Sequence, residues 1–293
     1  MHHARSWIGV ALLVVAPSLG VAQDKYFDAD GVRIRYVERG QGEPVVLLHG
    51  LGGSVETWTN SGILQALAQD HRVIAFDMRG HGQSDKPHDP KKYGREMVLD
   101  VVRLLDHLGI QRAHIAGYSL GGMIVSQLLT LHPDRFLSAT LIAAGGRFGV
   151  SPDAEREIEA QAREVEAECV SPSLIIALAP SDAPKPSEER IAQMSRDCFA
   201  DSTRDRFATA AFMRSRSEQV VDPAAAARVT VPTLGIVGSA DAMKRGLDSL
   251  AAMRPSVRVI VLEGATHAGE RGILNRPELK TALHEFLAAH PAR

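Results

Sequence analysis

The amino-acid sequence predicts an α/β fold: a mostly parallel sheet with helices on both faces, interrupted by one helical insertion. Three observations predict it. Short, continuous apolar runs alternate with stretches of helical periodicity, the pattern of strands buried on both faces and joined by crossover helices. The first two extended runs are separated only by a tight turn at 40–43, which predicts an antiparallel leading edge. Between 147 and about 222 the alternation stops, and helical sequence broken by prolines takes over.

In chain order, 32–37 alternates apolar and polar side chains and reads as a half-exposed strand. The runs 45–48 and 73–76 are continuously apolar, as doubly buried strands require. Met97, Val98, Val101, Leu104, Leu105 and Leu108 recur at helical spacing until Gly109 stops them. A strand is expected at 113–116, a helix at 120–131 that ends near Pro133, and a strand at 140–143. After the insertion come a strand at 233–237, a helix at 247–253, a strand at 257–262 and a helix at 278–287.

The insertion contains a charged helical stretch at 155–168, then Pro172, Pro180, Pro184 and Pro186, then helical sequence from 188 to 212. Its only strand-like run is Leu174-Ile175-Ile176. Leu174, Ile175, Ile176, Leu178, Phe199, Phe207, Phe212 and Met213 need apolar surroundings. Some are expected to pack on the sheet domain, while Phe207, Phe212 and Met213 in particular are expected to line a pocket beneath the insertion.

The beginning of the chain reads differently. Arg5 precedes a mostly apolar, uncharged run at 7–16, Pro17 and Gly20 break it, and Gly20-Val21-Ala22 offers small residues. This is the three-part pattern of a secretory signal peptide, and the run is short for a bilayer-spanning anchor. The expected organisation is a signal peptide at 1–22, a core at 23–146 and 223–293, and a helical lid at 147–222. The mature protein would be exported, periplasmic or secreted, without a stable membrane anchor. Loss of Arg5 takes the formal net charge from -2 to -3. No basic block is present, so nucleic acid finds no electrostatic footprint. Cys169 and Cys198 are the only cysteines. In an oxidising compartment an even count permits a disulfide, and two separate thiols are the other reading.

The strongest chemical signal is Gly117-Tyr118-Ser119-Leu120-Gly121, directly after one expected strand and directly before a helix. A serine on so sharp a turn needs glycine neighbours, and the turn lifts its hydroxyl above the sheet edge at a helix N-terminus. Ser119 is therefore the candidate nucleophile. His49-Gly50-Leu51-Gly52-Gly53 follows the 45–48 strand, and its glycines let a backbone N–H approach a reacting carbonyl oxygen. Leu51 and Leu120 are the candidate oxyanion-hole donors.

These pieces, with Asp77-Met78-Arg79-Gly80-His81-Gly82, Gly238-Ser239-Ala240-Asp241 and Gly264-Ala265-Thr266-His267, resemble the α/β-hydrolase fold superfamily in its serine-nucleophile, esterase- and lipase-like branch. The resemblance spans nearly the whole expected mature chain outside the insertion. It implies an acid after a late strand and a histidine after the last one, in the order Ser119, Asp241, His267. Asp77 is the main rival for the acid, and the resemblance places it in a structural loop. The strand before the insertion runs into Gly145-Gly146-Arg147 and offers no carboxylate. His267 alone among the histidines directly follows the last expected strand; His49 and His81 are expected to shape backbone or pocket.

The resemblance implies a hydrolase that cleaves a carboxylic ester, thioester or lactone through an acyl-enzyme, with a small-molecule ester as its substrate. No metal or cofactor is expected. Relatives that open epoxides or remove halide use aspartate where Ser119 stands. Carbon–carbon bond hydrolysis and perhydrolysis are the near alternatives, and a non-catalytic ligand-binding member is the alternative from another class.

Overall fold

The computed structural model describes residues 23–149 and 152–292. The expected signal segment at 1–22 lies outside the described residues. Eight strands form one sheet: β1 (Lys25–Asp28), β2 (Arg33–Arg39), β3 (Glu43–Leu48), β4 (His71–Phe76), β5 (Ala113–Tyr118), β6 (Phe136–Ile142), β7 (Thr233–Gly238) and β8 (Arg258–Leu262). Their order is β1-β2-β4-β3-β5-β6-β7-β8. From β4 to β8 all pairs are parallel, while β1 and β2 make an antiparallel edge.

The antiparallel edge is as expected, but its pairing differs from what the 40–43 turn suggested. β2 lies against β4 and not against the following β3. β1 carries no sequence expectation: it is four residues long, with two of them exposed, too short and too polar to show a period.

Helices α1 (Glu56–Asn60) and α2 (Ile63–Leu67) fill the β3–β4 connection; α3 (Arg95–His107) leads into β5, and α4 (Leu120–Leu131) leaves it. Between β6 and β7 lie α5 (Pro152–Glu168), α6 (Pro172–Ala177), α7 (Glu188–Ala200), α8 (Arg206–Arg214) and α9 (Pro223–Arg228). The chain closes with α10 (Lys244–Met253) and α11 (Pro277–Ala288). Successive strand side chains point to opposite faces. Val46 and Leu48 join a core with α3, α4 and α10, while Val45 and Leu47 join one with α1, α2 and α11. The central strands therefore read as continuously apolar.

One local expectation is corrected. Leu174-Ile175-Ile176 is not extended but helical, in α6. Pro172 occupies the first turn, where its missing N–H costs nothing, and the Ser171 hydroxyl accepts from Leu174 N–H as an N-cap. A cap and an N-terminal proline outweigh two β-branched residues in so short a segment.

Candidate active site

The site forms at the C-terminal ends of β3, β5, β7 and β8. Ser119 follows β5 with φ 54° and ψ −114°, a region that side-chain-bearing residues rarely occupy. The turn is tight because α4 starts directly beside β3: a Cβ on Gly121 would lie 2.2 Å from the Leu48 carbonyl oxygen. The Ser119 N–H donates to the Ile142 carbonyl at 2.8 Å and the Gly121 N–H to the His49 carbonyl at 3.1 Å. The Ser119 turn is thereby anchored to β6 on one side and to the 49–53 loop on the other.

Around this turn the structure brings Ser119, His267 and Asp241 together. Ser119 Oγ is 2.9 Å from His267 Nε2, and His267 Nδ1 is 3.0 Å from Asp241 Oδ2. The carboxylate side fixes the Nδ1–H tautomer, so Nε2 presents a lone pair to the serine hydroxyl. The Asp241 side chain is fully buried, and its Oδ1 also accepts from the Met243 N–H at 2.8 Å. The loops after β7 and β8 are joined by Ser239 N–H to Leu262 O and Ala240 N–H to Ala265 O, which sets the acid beside the histidine.

Asp77, the rival acid, lies elsewhere. Its carboxylate accepts from Val55 N–H, Gln83 N–H and Arg35 Nη1, at 2.7, 2.8 and 3.1 Å. Burial is the largest influence on this carboxyl and raises its pKa. Its role in the structure is to tie the end of β4 to the 79–84 loop and to the start of α1.

Leu51, one of the two candidate oxyanion donors, faces this space. Leu51 and Ser119 line one cavity of about 520 Å³. Among the described residues, neither the Leu51 nor the Leu120 N–H has an acceptor. The Ser119 N–H is already used by Ile142, which leaves Leu120 as the free donor of the turn. His49 explains the aim of Leu51. Met78 N–H donates to His49 Nε2 at 3.0 Å, so Nδ1 carries the proton and donates to the Gly50 carbonyl at 2.7 Å. Gly53 N–H donates to the same carbonyl at 3.0 Å. A planar trans peptide points its N–H opposite to its carbonyl, so pinning Gly50 O into the protein turns Leu51 N–H outward. Burial lowers the His49 pKa to about 4 and keeps the ring neutral in this role.

Two contacts carried no sequence signal. The Tyr118 hydroxyl donates to the His267 carbonyl at 2.7 Å, and its ring stacks on the imidazole at 5.3 Å between centroids. Arg204, from the segment between α7 and α8, donates to the Gly52 carbonyl at 2.9 Å. Any residue is compatible with the position before the serine, and nothing local relates 204 to 52.

The cavity's apolar wall comes from Val165, Leu174, Ile175, Leu178, Met194 and Met213. Phe207 and Phe212 do not line it, contrary to expectation. Phe207 is 45% exposed, while Phe212 is buried against Tyr93 and His81. Phe212 and Met213 are adjacent on α8, so they point about 100° apart; here Met213 faces the cavity and Phe212 packs toward Tyr93 and His81. Cys169 and Cys198 form a disulfide that joins α7 to the end of α5. Among the described residues no group of three or more His, Cys, Asp or Glu could hold a metal ion, and no helix is long and apolar enough to cross a membrane.

The family model for the alpha/beta hydrolase fold matches residues 43–269. Among curated proteins, the chain is 38% identical over 126 residues to the dihydrolipoyllysine-residue acetyltransferase component of the acetoin cleaving system of Cupriavidus necator. That match covers 42% of this chain and 32% of the relative, so the chain spans about a third of that protein's length. Among solved structures, the enol-lactonase of Burkholderia xenovorans LB400 has a TM-score of 0.70 at 25% identity, covering 90% of this chain and all (100%) of the other. An N-acyl homoserine lactone degrading enzyme has a TM-score of 0.71 at 25% identity with the same coverage, 90% and 100%.

Proposed function

The chain belongs to the α/β hydrolase fold family, and from that premise we propose that it is a hydrolase that cleaves a carboxylic ester, including the cyclic esters of lactones, through an acyl-enzyme on Ser119. One observation carries the reading: the continuous hydrogen-bonded line from Ser119 Oγ through His267 to the buried Asp241 carboxylate. The two lactone-acting neighbours at 25% identity support the inclusion of lactones.

The steps follow from proton positions. Ser119 Oγ gives its proton to His267 Nε2 and attacks the substrate carbonyl carbon. The negative oxygen so formed is stabilised by Leu51 and Leu120 N–H. The tetrahedral centre collapses, the bond to the leaving oxygen breaks, and His267 returns the proton to that oxygen. Asp241 stabilises the transient imidazolium without taking its proton. Water then repeats the cycle on the acyl-enzyme, with His267 as base, and releases the acid. The apolar wall under α5 to α8 would hold the acyl chain, so the insertion serves as a lid.

The test is a fluorophosphonate probe followed by peptide mapping. Labelling at Ser119, absent in Ser119→Ala along with ester hydrolysis by about 10⁶-fold, is expected. A folded protein labelled nowhere, or an active Ser119→Ala, would overturn the serine mechanism. Export rests on the 1–22 pattern, and the exported protein should begin at Gln23; a cytosolic protein that still carries Met1 contradicts it.

A further inference from the structure

The insertion touches the oxyanion loop through one directed contact that nothing in the proposed chemistry requires. Arg204 Nη2 donates to the Gly52 carbonyl at 2.9 Å, across 152 positions of chain. The guanidinium packs closely against Gly52: a Cβ there would sit 2.7 Å from Arg204 Nη1. Gly52 has φ +68°, so glycine provides both the backbone conformation and the room for this approach.

The contact sits one hydrogen bond away from a proposed oxyanion donor. Arg204 holds the carbonyl of the Gly52–Gly53 peptide, whose N–H donates to Gly50 O at 3.0 Å. Gly50 O is the atom whose pinning turns Leu51 N–H toward the cavity. Two rigid peptide planes therefore relay the position of the Arg204 guanidinium to the direction of the Leu51 N–H.

The arginine is itself held in place. Its N–H donates to the Asp201 carbonyl at 3.0 Å, and its Nε lies 3.5 Å from Asp201 Oδ2. The Asp201 carboxylate also accepts from the N–H and hydroxyl of Thr203, at 2.9 and 2.6 Å. This turn follows α7 directly, and the last turn of α7 carries Cys198, bonded to Cys169. The donor thus sits on a braced part of the insertion.

We propose that Arg204 is a positioning residue that couples the seating of the lid to assembly of the oxyanion hole. The inference rests on the acyl-enzyme reading above. While the 201–205 turn lies on the 49–53 loop, Leu51 N–H is aimed. When the turn lifts, the Gly52–Gly53 peptide loses its outer anchor and the donor its direction. Substrate enclosure then completes the catalytic geometry, as in induced fit.

The experiment compares wild type, Arg204→Ala and Arg204→Lys on one chromogenic ester, with phenylboronic acid as a probe whose adduct on a serine places a negative oxygen in the hole. For Arg204→Ala the expected result is a fall in kcat of about tenfold, less than the 10²- to 10³-fold for removal of a donor outright. Boronate affinity should weaken by a similar factor, KM should stay within about twofold, and Arg204→Lys, which keeps one donor, should recover most of both. An unchanged kcat in Arg204→Ala, a loss expressed only in KM, or unchanged boronate affinity overturns the coupling. The side chain is 41% exposed, so the variants should fold, and thermal melts establish that they do. A wild type that no fluorophosphonate labels at Ser119 defeats the serine reading itself. A labelled, active wild type with a fully active Arg204→Ala defeats only this inference.

Discussion

Tyr118 holds His267 from two sides: its hydroxyl donates to the histidine carbonyl at 2.7 Å, and its ring lies 28° from parallel with the imidazole. The residue before Ser119 therefore sets the backbone and the ring plane of His267. Tyr118→Phe keeps the stacked ring and removes only the donor. Stability should fall by about 1 kcal/mol, and kcat should drop by less than tenfold, on the order of the geometric slack that Asp241 leaves. Paired thermal melts and steady-state kinetics check this; unchanged values of both would show that the hydroxyl does not hold the loop.

Asp241 and Asp77 should separate cleanly in mutants. Asp241→Asn removes the charge facing imidazolium and invites the wrong tautomer, for a loss of about 10⁴-fold in kcat. Asp77→Asn should leave turnover nearly intact but cost about 3 kcal/mol. It breaks the pair with Arg35, whose side chain is 8% exposed, and leaves one acceptor oxygen where two now serve three donors. Urea denaturation and initial rates on both variants decide it; inactivity in Asp77→Asn without destabilisation would reverse the assignment.

The cavity wall makes a chain-length prediction. Leu174→Ala and Met213→Ala remove apolar contact in the space that also holds Ser119. They should reduce kcat/KM for hexanoyl or octanoyl esters about tenfold relative to acetyl. Phe207→Ala, at an exposed position, should leave the ratio unchanged, and Phe212→Ala should act through stability, by about 3–5 kcal/mol. A preference that follows Phe207 in place of Leu174 would contradict the pocket as described.

Two enclosed histidines set an acid limit to stability. Burial lowers the His49 pKa to about 4 and the His81 pKa to about 3, against about 6.5 in an unfolded chain. Between those values the unfolded chain binds more protons than the folded one. Stability is therefore full above pH 6.5 and falls as pH drops, through about 4 for His49 and about 3 for His81. From pH 6.5 to 5 each should cost about 2 kcal/mol. Melts of wild type and His81→Phe across that window test this: the variant should lose less stability, and an equal fall would remove His81 as a cause.

The sequence by itself determined what depends on neighbours in the chain. Buried strands appear as apolar runs because both their faces are covered. The Ser119 turn appears because glycines must flank a serine at positive φ, and α4 was read to its observed ends because Pro133 and its apolar spacing are local. The resemblance named Asp241 over Asp77, and the tertiary structure supplies the contact itself: both carboxylates follow strands, and the sheet order carries only Asp241 to His267. Only the tertiary structure decided that β2 joins β4, that Leu174 to Ile176 are helical, and that Met213 faces the cavity while Phe212 does not. The turn of a helix about its own axis is set by what it packs on, and composition is blind to it. Tyr118 to His267 and Arg204 to Gly52 span 149 and 152 positions; a bond of that length in sequence exists only once the sheet has brought its strand ends together.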